Sequence, residues 1–259
     1  MTTYGNSGLD PSATNDAISR SAQESMREEA LLFVIDFDGT VAPHDTVDAL
    51  LERFAEPEWR EVEERWARGE INSQQCMATQ LGMVRTERPV MESFLRRATI
   101  DPSFAHFVEY VSPFALLAIV SDGLDYTIQQ AMRMMEPPIP IFANALEFRS
   151  ASLGISFPYA DAACKVKSGV CKCAVTRTLD AGRGLPVILI GDGQSDRCLA
   201  RAADYVFAKS SLRTFCEEEQ IPHTPFETFH DVLSVVRQWN SIENEDSPGS
   251  LNVDCLDTP

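Results

Sequence analysis

Two aspartates follow directly on a short apolar run near the start of the chain. The run LLFVI (31–35) leads into Asp36 and Asp38, which are separated by one Phe and followed by Gly-Thr. Neighbouring carboxylates repel each other unless a cation joins them. With oxygen ligands and no nearby His or Cys, Mg²⁺ is the favoured ion. The spacing therefore predicts a magnesium site built on paired carboxylates.

Polar residues also follow two later apolar runs, FALLAIV (114–120) and PVILI (186–190). These residues are Ser121, Asp122, Gly123, Asp192 and Asp196. In an open parallel sheet, ligands bind outside the carboxyl ends of the strands, where the strand order reverses. We therefore expect all of these residues to meet Asp36 and Asp38 at one edge of the sheet.

A lysine supplies the positive charge that such a site lacks. Lys172 begins the predicted helix that precedes the PVILI run, and a lysine ammonium acts as a point charge on a phosphate. Lys165 and Lys167 lie nearby, but the spacing favours Lys172. A Mg²⁺ ion, a lysine, a hydroxyl and two neighbouring carboxylates are the groups that phosphoryl transfer requires.

Short apolar strands and amphipathic helices alternate along the segments that hold these residues. The predicted strands are 31–35, 114–120, 186–190 and 205–208, with 139–144 as a weaker one because of its prolines. The predicted helices are 124–135, 172–181, 195–203, 211–219 and 227–239. This alternation predicts an α/β fold, a parallel sheet with helices on both faces. Residues 45–110 show helical patterns and no convincing strand, which predicts a small helical lid.

The charge balance narrows the possible partners. The chain has 22 basic and 39 acidic residues and a formal net charge of −17. Such a chain repels nucleic acid and anionic membranes, so we expect neither as a partner. It contains no run of about 18 apolar residues that would span a membrane. Seven cysteines and no apolar N-terminal segment predict a reducing cytoplasm.

The motifs resemble those of a known superfamily. The order D-x-D-G-T, an apolar run ending in Ser, a Lys, and an apolar run ending in G-D-x-x-x-D is similar to the four motifs of haloacid dehalogenase (HAD) superfamily phosphatases. The helical segment after the first motif resembles the C1 cap of subfamily IB. The segments "DFDGTVAPHDTVDALLERFAEPEW", "CKVKSGVCKCAV", "ILIGDGQSD" and "FCEEEQIPHTPF" are similar to the MtnX-like phosphatases of methionine salvage, which act on 2-hydroxy-3-keto-5-methylthiopentenyl 1-phosphate.

The resemblance implies a role for each site residue. Asp36 is implied as the nucleophile that forms an aspartyl-phosphate, and Asp38 as the general acid and base. The implied phosphate-binding residues are Ser121, Asp122, Gly123 and Lys172. The implied Mg²⁺ ligands are the Asp36 side chain, the Asp38 backbone carbonyl and Asp192. Asp196 is implied to lie next to these ligands without contacting the ion.

The resemblance also implies a domain division. A HAD-like Rossmannoid core is expected at 30–43 and 112–239, with an all-helical C1 cap at 44–111. The polar segment 1–29 and the acidic segment 240–259 are expected to be disordered tails.

Two features of the sequence leave the substrate open. Asp122 stands where both phosphoserine phosphatases and the methionine-salvage enzymes typically carry Gly. Asp45 stands where phosphoserine phosphatases have a Glu that recognises an amine, and His44 is a further possible substrate contact. A small phosphorylated metabolite is expected, from methionine salvage, phosphoserine hydrolysis or a biosynthetic pathway. The alternative from another class is a catalytically silent protein that binds a phosphometabolite.

Two further questions stay open at this stage. The chain length fits either a monomer or a homodimer. Cys164, Cys171 and Cys173 suggest a zinc site, but they lack a C-x₂-C pair, which favours free thiols or a packed loop.

Overall fold

A computed structural model describes residues 31–149, 152–164 and 166–245, with 240–245 described as backbone only. The predicted N-terminal tail at 1–29 lies outside these residues, and so does the segment 246–259. The predicted C-terminal tail starts at 240, whereas the last helix continues to Glu245.

The strands of the described chain form one sheet. They are β1 (Leu31–Ile35), β2 (Ala115–Leu124), β3 (Ile141–Phe148), β4 (Leu153–Ser156), β5 (Val187–Gly191), β6 (Tyr205–Ala208) and β7 (Thr224–Pro225). Their order is β4-β3-β2-β1-β5-β6-β7, and every neighbouring pair is parallel except β3 and β4. The predicted α/β fold is confirmed, with one correction: the antiparallel edge strand β4 makes the sheet mixed.

Helices connect most of these strands. They are α1 (Thr46–Phe54), α2 (Trp59–Ala67), α3 (Ser73–Gly82), α4 (Arg88–Leu95), α5 (Phe104–Val111), α6 (Asp125–Met132), α7 (Lys172–Asp180), α8 (Arg197–Ala200), α9 (Ser210–Glu218) and α10 (Phe229–Glu245). Five of them lie between β1 and β2, as the helical pattern of 45–110 predicts.

Strand β1 is central and is covered on both faces. Phe33 and Ile35 point into one apolar cluster, and Leu32 and Val34 point into a second cluster on the other face. All four side chains are fully buried, which is why the run is apolar at every position instead of alternating. The chain continues from β1 to β2, β3 and β4 on one side of β1, and it then returns to β5 on the other side. The strand order therefore reverses beside β1. The carboxyl end of β1 therefore lies at the crevice where ligands bind in such sheets.

Helix α5, which the predicted division includes in the segment 44–111, packs on the sheet. Phe107 contacts Phe33 of β1 edge-to-face, with ring centroids 5.4 Å apart. Phe104 contacts Phe229 of α10 at 4.6 Å. These aromatic side chains belong to the cluster that covers one face of the sheet. The physical reason is the wide apolar face of α5, which needs a large apolar surface to cover it.

Helices α1 to α4 surround a third apolar cluster of their own. Leu50, Leu81 and Met91 are buried in it, together with Leu124 at the end of β2 and Ile155 of β4. Helix α3 packs directly on β4. The β3–β4 hairpin thus attaches these helices beside the carboxyl edge of the sheet. The sequence did not predict β4 because the strand is short and flanked by small polar residues.

No helix in the described part of the chain combines the length and apolar character needed to cross a membrane.

Candidate active site

Three carboxylates meet at the carboxyl edge of the sheet. Asp36 follows β1, Asp192 follows β5, and Asp196 ends the short turn after it. One oxygen of each carboxylate lies within 4.8 Å of the others. The structure therefore brings together two predicted metal ligands and the residue predicted to lie behind them.

Lys172 lies buried between two of these carboxylates. Its Nζ atom is 3.0 Å from Oδ1 of Asp36 and 2.5 Å from Oδ1 of Asp196. Burial lowers the pKa of Lys172, but attraction to Asp196 and Asp36 outweighs burial and the pKa is raised above its ordinary value. The ammonium group therefore stays charged, and it offsets part of the repulsion among the carboxylates.

Asp196 is fully occupied by donors. Its Oδ1 accepts from Lys172, and its Oδ2 accepts from the backbone N–H groups of Asp192 at 3.2 Å and Gly193 at 3.1 Å. The side chain is completely buried. Its role in this geometry is to hold Lys172 and the turn after β5.

Asp36 has one oxygen engaged and one available. Its Oδ1 accepts from the backbone N–H of Phe37 at 2.8 Å as well as from Lys172. Its Oδ2 accepts no hydrogen bond from the described residues. Burial raises the pKa of Asp36 well above its ordinary value, although the charge of Lys172 opposes this.

The Asp38 carboxyl is held at one oxygen only. Its Oδ1 accepts from the backbone N–H of Thr46 at 2.8 Å, and its Oδ2 is buried without a partner among the described residues. Burial and the nearby charge of Asp45 raise the pKa of Asp38 to about 7. A Cβ atom at Gly123 would collide with this carboxyl, so the close approach requires glycine at that position.

Asp192 also depends on a glycine. Thr40 donates its hydroxyl to Oδ1 of Asp192 at 3.3 Å. Gly39 has φ +73°, and a Cβ there would collide with the Asp192 carboxylate. Burial and the charge of Asp196 raise the pKa of Asp192 to about 6. Gly39 and Thr40, which follow the D-x-D pair, therefore contact the Asp192 carboxylate and help to fix its position.

The donor set fits a magnesium ion. The group consists of carboxylate oxygens, which Mg²⁺ prefers to softer ligands. Asp36 and Asp192 each keep an oxygen that accepts no hydrogen bond from the described residues, whereas both oxygens of Asp196 are occupied. Asp36 and Asp192 are therefore the two side chains suited to direct coordination.

Ser121 lies within β2, directly after the apolar run of that strand, and lines the same cavity as Asp36. Its Oγ accepts from the backbone N–H of Gly123 at 3.0 Å, and the residue is buried. This hydrogen bond uses the oxygen, so the hydroxyl hydrogen remains available to a ligand. The geometry fits the predicted contact with a phosphoryl oxygen.

The Asp122 side chain lines the same cavity and is held by several hydrogen bonds. Its carboxylate accepts from the backbone N–H of Val170 at 2.7 Å and from the hydroxyl of Ser73 at 3.0 Å. Asn144 donates to the Asp122 backbone carbonyl at 2.6 Å and lies 3.4 Å from its carboxylate. Burial raises the pKa of Asp122 above its ordinary value. The residue joins β2, β3, α3 and the loop before α7.

A cavity of about 610 Å³ lies over these residues. Its core-side wall includes Asp36, Asp38, Ser121, Asp122, Gly123 and Asp192. Its other wall comes from α2 and α3 and includes Trp66, Ser73, Met77 and Gln80, none of which the sequence identified as site residues. Trp59 and Trp66 are seven residues apart, which places both on one face of a helix. Such a spacing predicts a packed helix face and does not by itself indicate a ligand contact. Trp59 is buried in that way, whereas Trp66 faces the cavity.

Of the two possible substrate contacts predicted after the first motif, Asp45 lines the large cavity. Its Oδ1 also caps α1 by accepting from the N–H groups of Val47 and Asp48. His44 is exposed and lines a separate cavity of about 190 Å³, which Asp45 lines as well. The structure therefore brings Asp45, and not His44, to the cavity of Asp36.

The cysteines do not form a metal site within the described residues, where the acidic triad is the group with metal-site spacing. Cys164, Cys171 and Cys173 are free thiols.

Comparisons with known proteins agree with this geometry. No protein-family model matches the chain. It is 33% identical over 218 residues to a 2-hydroxy-3-keto-5-methylthiopentenyl-1-phosphate phosphatase of Brevibacillus brevis, covering 82% of this chain and 97% of the relative. It is 32% identical over 221 residues to the enzyme of that name from Geobacillus kaustophilus, covering 84% and 100%. The chain belongs to this phosphatase family. It is a phosphoric monoester hydrolase.

Solved structures show the same fold at lower identity. A phosphoserine phosphatase with an analogue of its phospho-aspartyl intermediate matches with a TM-score of 0.63 and 18% identity, over 80% of this chain and 99% of that one. A HAD family hydrolase from Salmonella enterica matches with a TM-score of 0.61 and 18% identity, over 87% and 80%. The phosphatase family to which this chain belongs thus has the HAD fold, as the motifs predict.

Proposed function

We propose that this phosphatase hydrolyses a small phosphate monoester through an aspartyl-phosphate on Asp36, with Mg²⁺ as cofactor. The observation that carries the proposal is the contact between the buried Asp36 and Lys172, with the half-buried Asp192 beside Asp36 in the lining of the cavity. Asp36 is held by donors at one oxygen and keeps the other available for attack.

Asp36 and Asp38 act together in two successive steps. The free oxygen of Asp36 attacks phosphorus, and the bond from phosphorus to the leaving oxygen breaks. Asp38, whose pKa of about 7 keeps a large protonated fraction at neutral pH, donates its proton to that oxygen. Asp38 then takes a proton from water, which attacks phosphorus and releases phosphate from Asp36.

The remaining residues stabilise the phosphoryl group and hold the nucleophile. The Ser121 hydroxyl donates to a phosphoryl oxygen, and Lys172 supplies positive charge beside Asp36. Asp36, Asp192 and the backbone carbonyl of Asp38 would hold Mg²⁺, with Asp196 supporting them through Lys172. The ion supplies charge neutralisation at the transferring group when bound.

The helices over the cavity provide the substrate pocket. Residues 44–111 would act as a cap, with α5 fixed on the core and α1 to α4 contributing Trp66, Met77 and Gln80 to the wall. Closure of this wall would exclude water during the first step. The first substrate to test is the relatives' 2-hydroxy-3-keto-5-methylthiopentenyl 1-phosphate, and the setting that we expect is cytoplasmic.

A second candidate is a phosphate monoester that carries an amino group, as phosphoserine does. Asp45, Asp48 and Glu63 line the same cavity and make part of its wall acidic. Burial and the charges of Asp45 and Glu63 raise the pKa of Asp48 to about 6, as expected where acids lie close together. A cationic group would relieve this repulsion.

Phosphate release across a panel of monoesters tests the proposal. The panel contains the methylthiopentenyl phosphate, phosphoserine, sugar phosphates and an aryl phosphate, each with Mg²⁺ or EDTA. Wild type is compared with Asp36→Asn and with Asp161→Asn, a matched surface change at an exposed ion pair with Arg177. We expect Mg²⁺-dependent turnover that falls roughly a thousandfold or more in Asp36→Asn only. Equal, metal-independent release by all three proteins would reject the mechanism.

A second measurement distinguishes an active phosphatase from a catalytically silent binding protein. Beryllium fluoride mimics a phosphoryl group on an aspartate. We expect it to raise the Tm of wild type in the presence of Mg²⁺ and to leave Asp36→Asn unchanged. A wild type that turns over no ester but binds the mimic would be active on a substrate outside the panel, whereas failure in both measurements would favour the silent protein.

A further inference from the structure

Arg197 gives the cavity a positive group that the proposed chemistry does not use. It is the first residue of α8, directly after Asp196, and it lines the same cavity as Asp36. Its guanidinium lies over the ring of Phe215, 4.9 Å from the centroid. This position keeps the planar group fixed against α9 beside the catalytic residues.

The guanidinium of Arg197 has no acidic partner among the described residues. Its Nε atom is buried without a hydrogen-bond acceptor. Leaving a buried charged donor unsatisfied is costly. The chain has 39 acidic residues, yet none of the described ones pairs with this guanidinium. Its two terminal nitrogens form no hydrogen bond with the described residues, so they are available to an anionic ligand in the cavity that Arg197 lines.

Arg201 is a neighbouring arginine whose charge is paired with an acid. It lies four residues later, and its guanidinium is 4.7 Å from the centroid of the same Phe215 ring. Unlike Arg197, it forms an ion pair with Glu219 at 3.1 Å. Two guanidinium groups thus share one aromatic ring, and only one of them is paired within the described chain.

Other donors occur on this part of the cavity wall. Gln194 and Ser195 precede Arg197 in the turn after β5, and Ser210 begins α9. Their amide and hydroxyl groups are able to donate hydrogen bonds to an anion. The acids Asp48 and Glu63 on the cap wall repel an anion, so an anionic group bound in this cavity is directed to Arg197.

We propose that Arg197 binds a second anionic group of the substrate, a carboxylate or a second phosphate, while the reacting phosphoryl group lies at Asp36. The planar guanidinium suits both groups because it donates two parallel hydrogen bonds. This inference rests on the proposed phosphatase site, and it distinguishes the substrate of this chain from an ester whose only charge is the phosphate.

Binding of non-hydrolysable phosphonates tests the inference without turnover. The carboxylated probes are phosphonoacetate, phosphonopropionate and phosphonobutyrate, each compared with the alkylphosphonate of equal chain length. A series of alkane bisphosphonates represents the second phosphate. Dissociation constants are measured calorimetrically in excess Mg²⁺ for wild type, Arg197→Gln, Arg197→Lys and Arg213→Gln. Arg213 is an exposed control on α9 that pairs with Glu217, so its change removes the same charge outside the cavity.

We expect wild type to bind one chain length of the doubly anionic probes about tenfold or more tightly than its singly anionic counterpart. Arg197→Gln loses this advantage, Arg197→Lys retains part of it, and Arg213→Gln retains all of it. Thermal unfolding checks that each variant is folded, and the lysine variant carries the test if the glutamine variant is not. Whichever of the two series shows the advantage identifies the second anion.

Two results would overturn the inference, and they are distinguishable. Equal binding of singly and doubly anionic probes by wild type, or an advantage that persists in Arg197→Gln and Arg197→Lys, rejects the second anion site and leaves the phosphatase site intact. Failure of wild type to bind any phosphonate rejects the inference together with the phosphoryl site on which it depends.

Discussion

The carboxylate of Asp122 accepts a hydrogen bond from the hydroxyl of Ser73 across 3.0 Å. Ser73 begins α3 in the helical segment over the cavity, and Asp122 lies within β2 of the sheet. The same carboxylate accepts from Val170, two residues before Lys172. One half-buried acid therefore connects the helix over the cavity, the central sheet and the segment that positions the lysine.

We predict that Ser73→Ala and Asp122→Asn each destabilise the protein and raise the KM. Removing one partner of a buried hydrogen bond costs about 1–3 kcal/mol. Denaturant unfolding and steady-state kinetics check this, and the double variant is expected to be less destabilised than the sum of the two. Additive effects would show that Ser73 and Asp122 do not act as a pair. Thr79→Ala, on the exposed face of the same helix, is the control.

Gly123→Ala is expected to reduce kcat by displacing the Asp38 carboxyl, because the added methyl collides with that carboxyl. The matched control is Gly82→Ala at the end of α3, where an added Cβ meets no atom within 4 Å. That control is expected to retain activity and to be about 0.5–1 kcal/mol more stable, since alanine favours a helix. Kinetics and thermal unfolding of both variants test the prediction, which is wrong if the two variants have the same kcat.

Lys172→Met is expected to destabilise the fold by roughly 3–5 kcal/mol, because it leaves the buried carboxylates of Asp36 and Asp196 without their cation. Adding Asp196→Asn to it is expected to restore part of the loss. Lys167→Met is the control, since Lys167 is exposed in the loop before α7. Urea unfolding compares the three variants with wild type. A Lys172→Met protein as stable as wild type would contradict the role assigned to this ion pair.

Mg²⁺ is expected to raise the Tm of wild type with increasing concentration, because an ion that binds only the folded state stabilises it by mass action. The expected ligands are Asp36 and Asp192, so Asp192→Asn loses the shift and Asp161→Asn keeps it. Scanning fluorimetry with and without EDTA measures this, independently of turnover. A shift of equal size in Asp192→Asn would place the ion elsewhere.

The catalytic centre is largely determined by local sequence. Each of Asp36, Ser121 and Asp192 is at or directly after an apolar run, and such runs form strands that are buried on both faces. Parallel pairing then places their carboxyl ends at one edge, whatever the details of packing. Asp36, Asp192 and Asp196 were therefore predictable as neighbours from strand ends alone. The lysine was less certain, and it is the structure that joins Lys172 to Asp36 and Asp196.

Features that depend on contacts between distant segments were decided only by the tertiary structure. The hydrogen-bond partners of Asp122 include Ser73 and Asn144, which lie 49 and 22 residues away along the chain. Helix α5 follows α1 to α4 in sequence, yet its Phe107 packs on Phe33 of β1.

The same limit applies to the wall of the cavity. Trp66 faces the cavity and Trp59 is buried, although both lie on one helix face. Within the described part of the chain, Arg197 lacks an acidic partner such as Arg201 has in Glu219. Periodicity in sequence reports which face of an element is apolar. It does not predict which distant part of the protein that face packs against, because this depends on the packing of the whole chain.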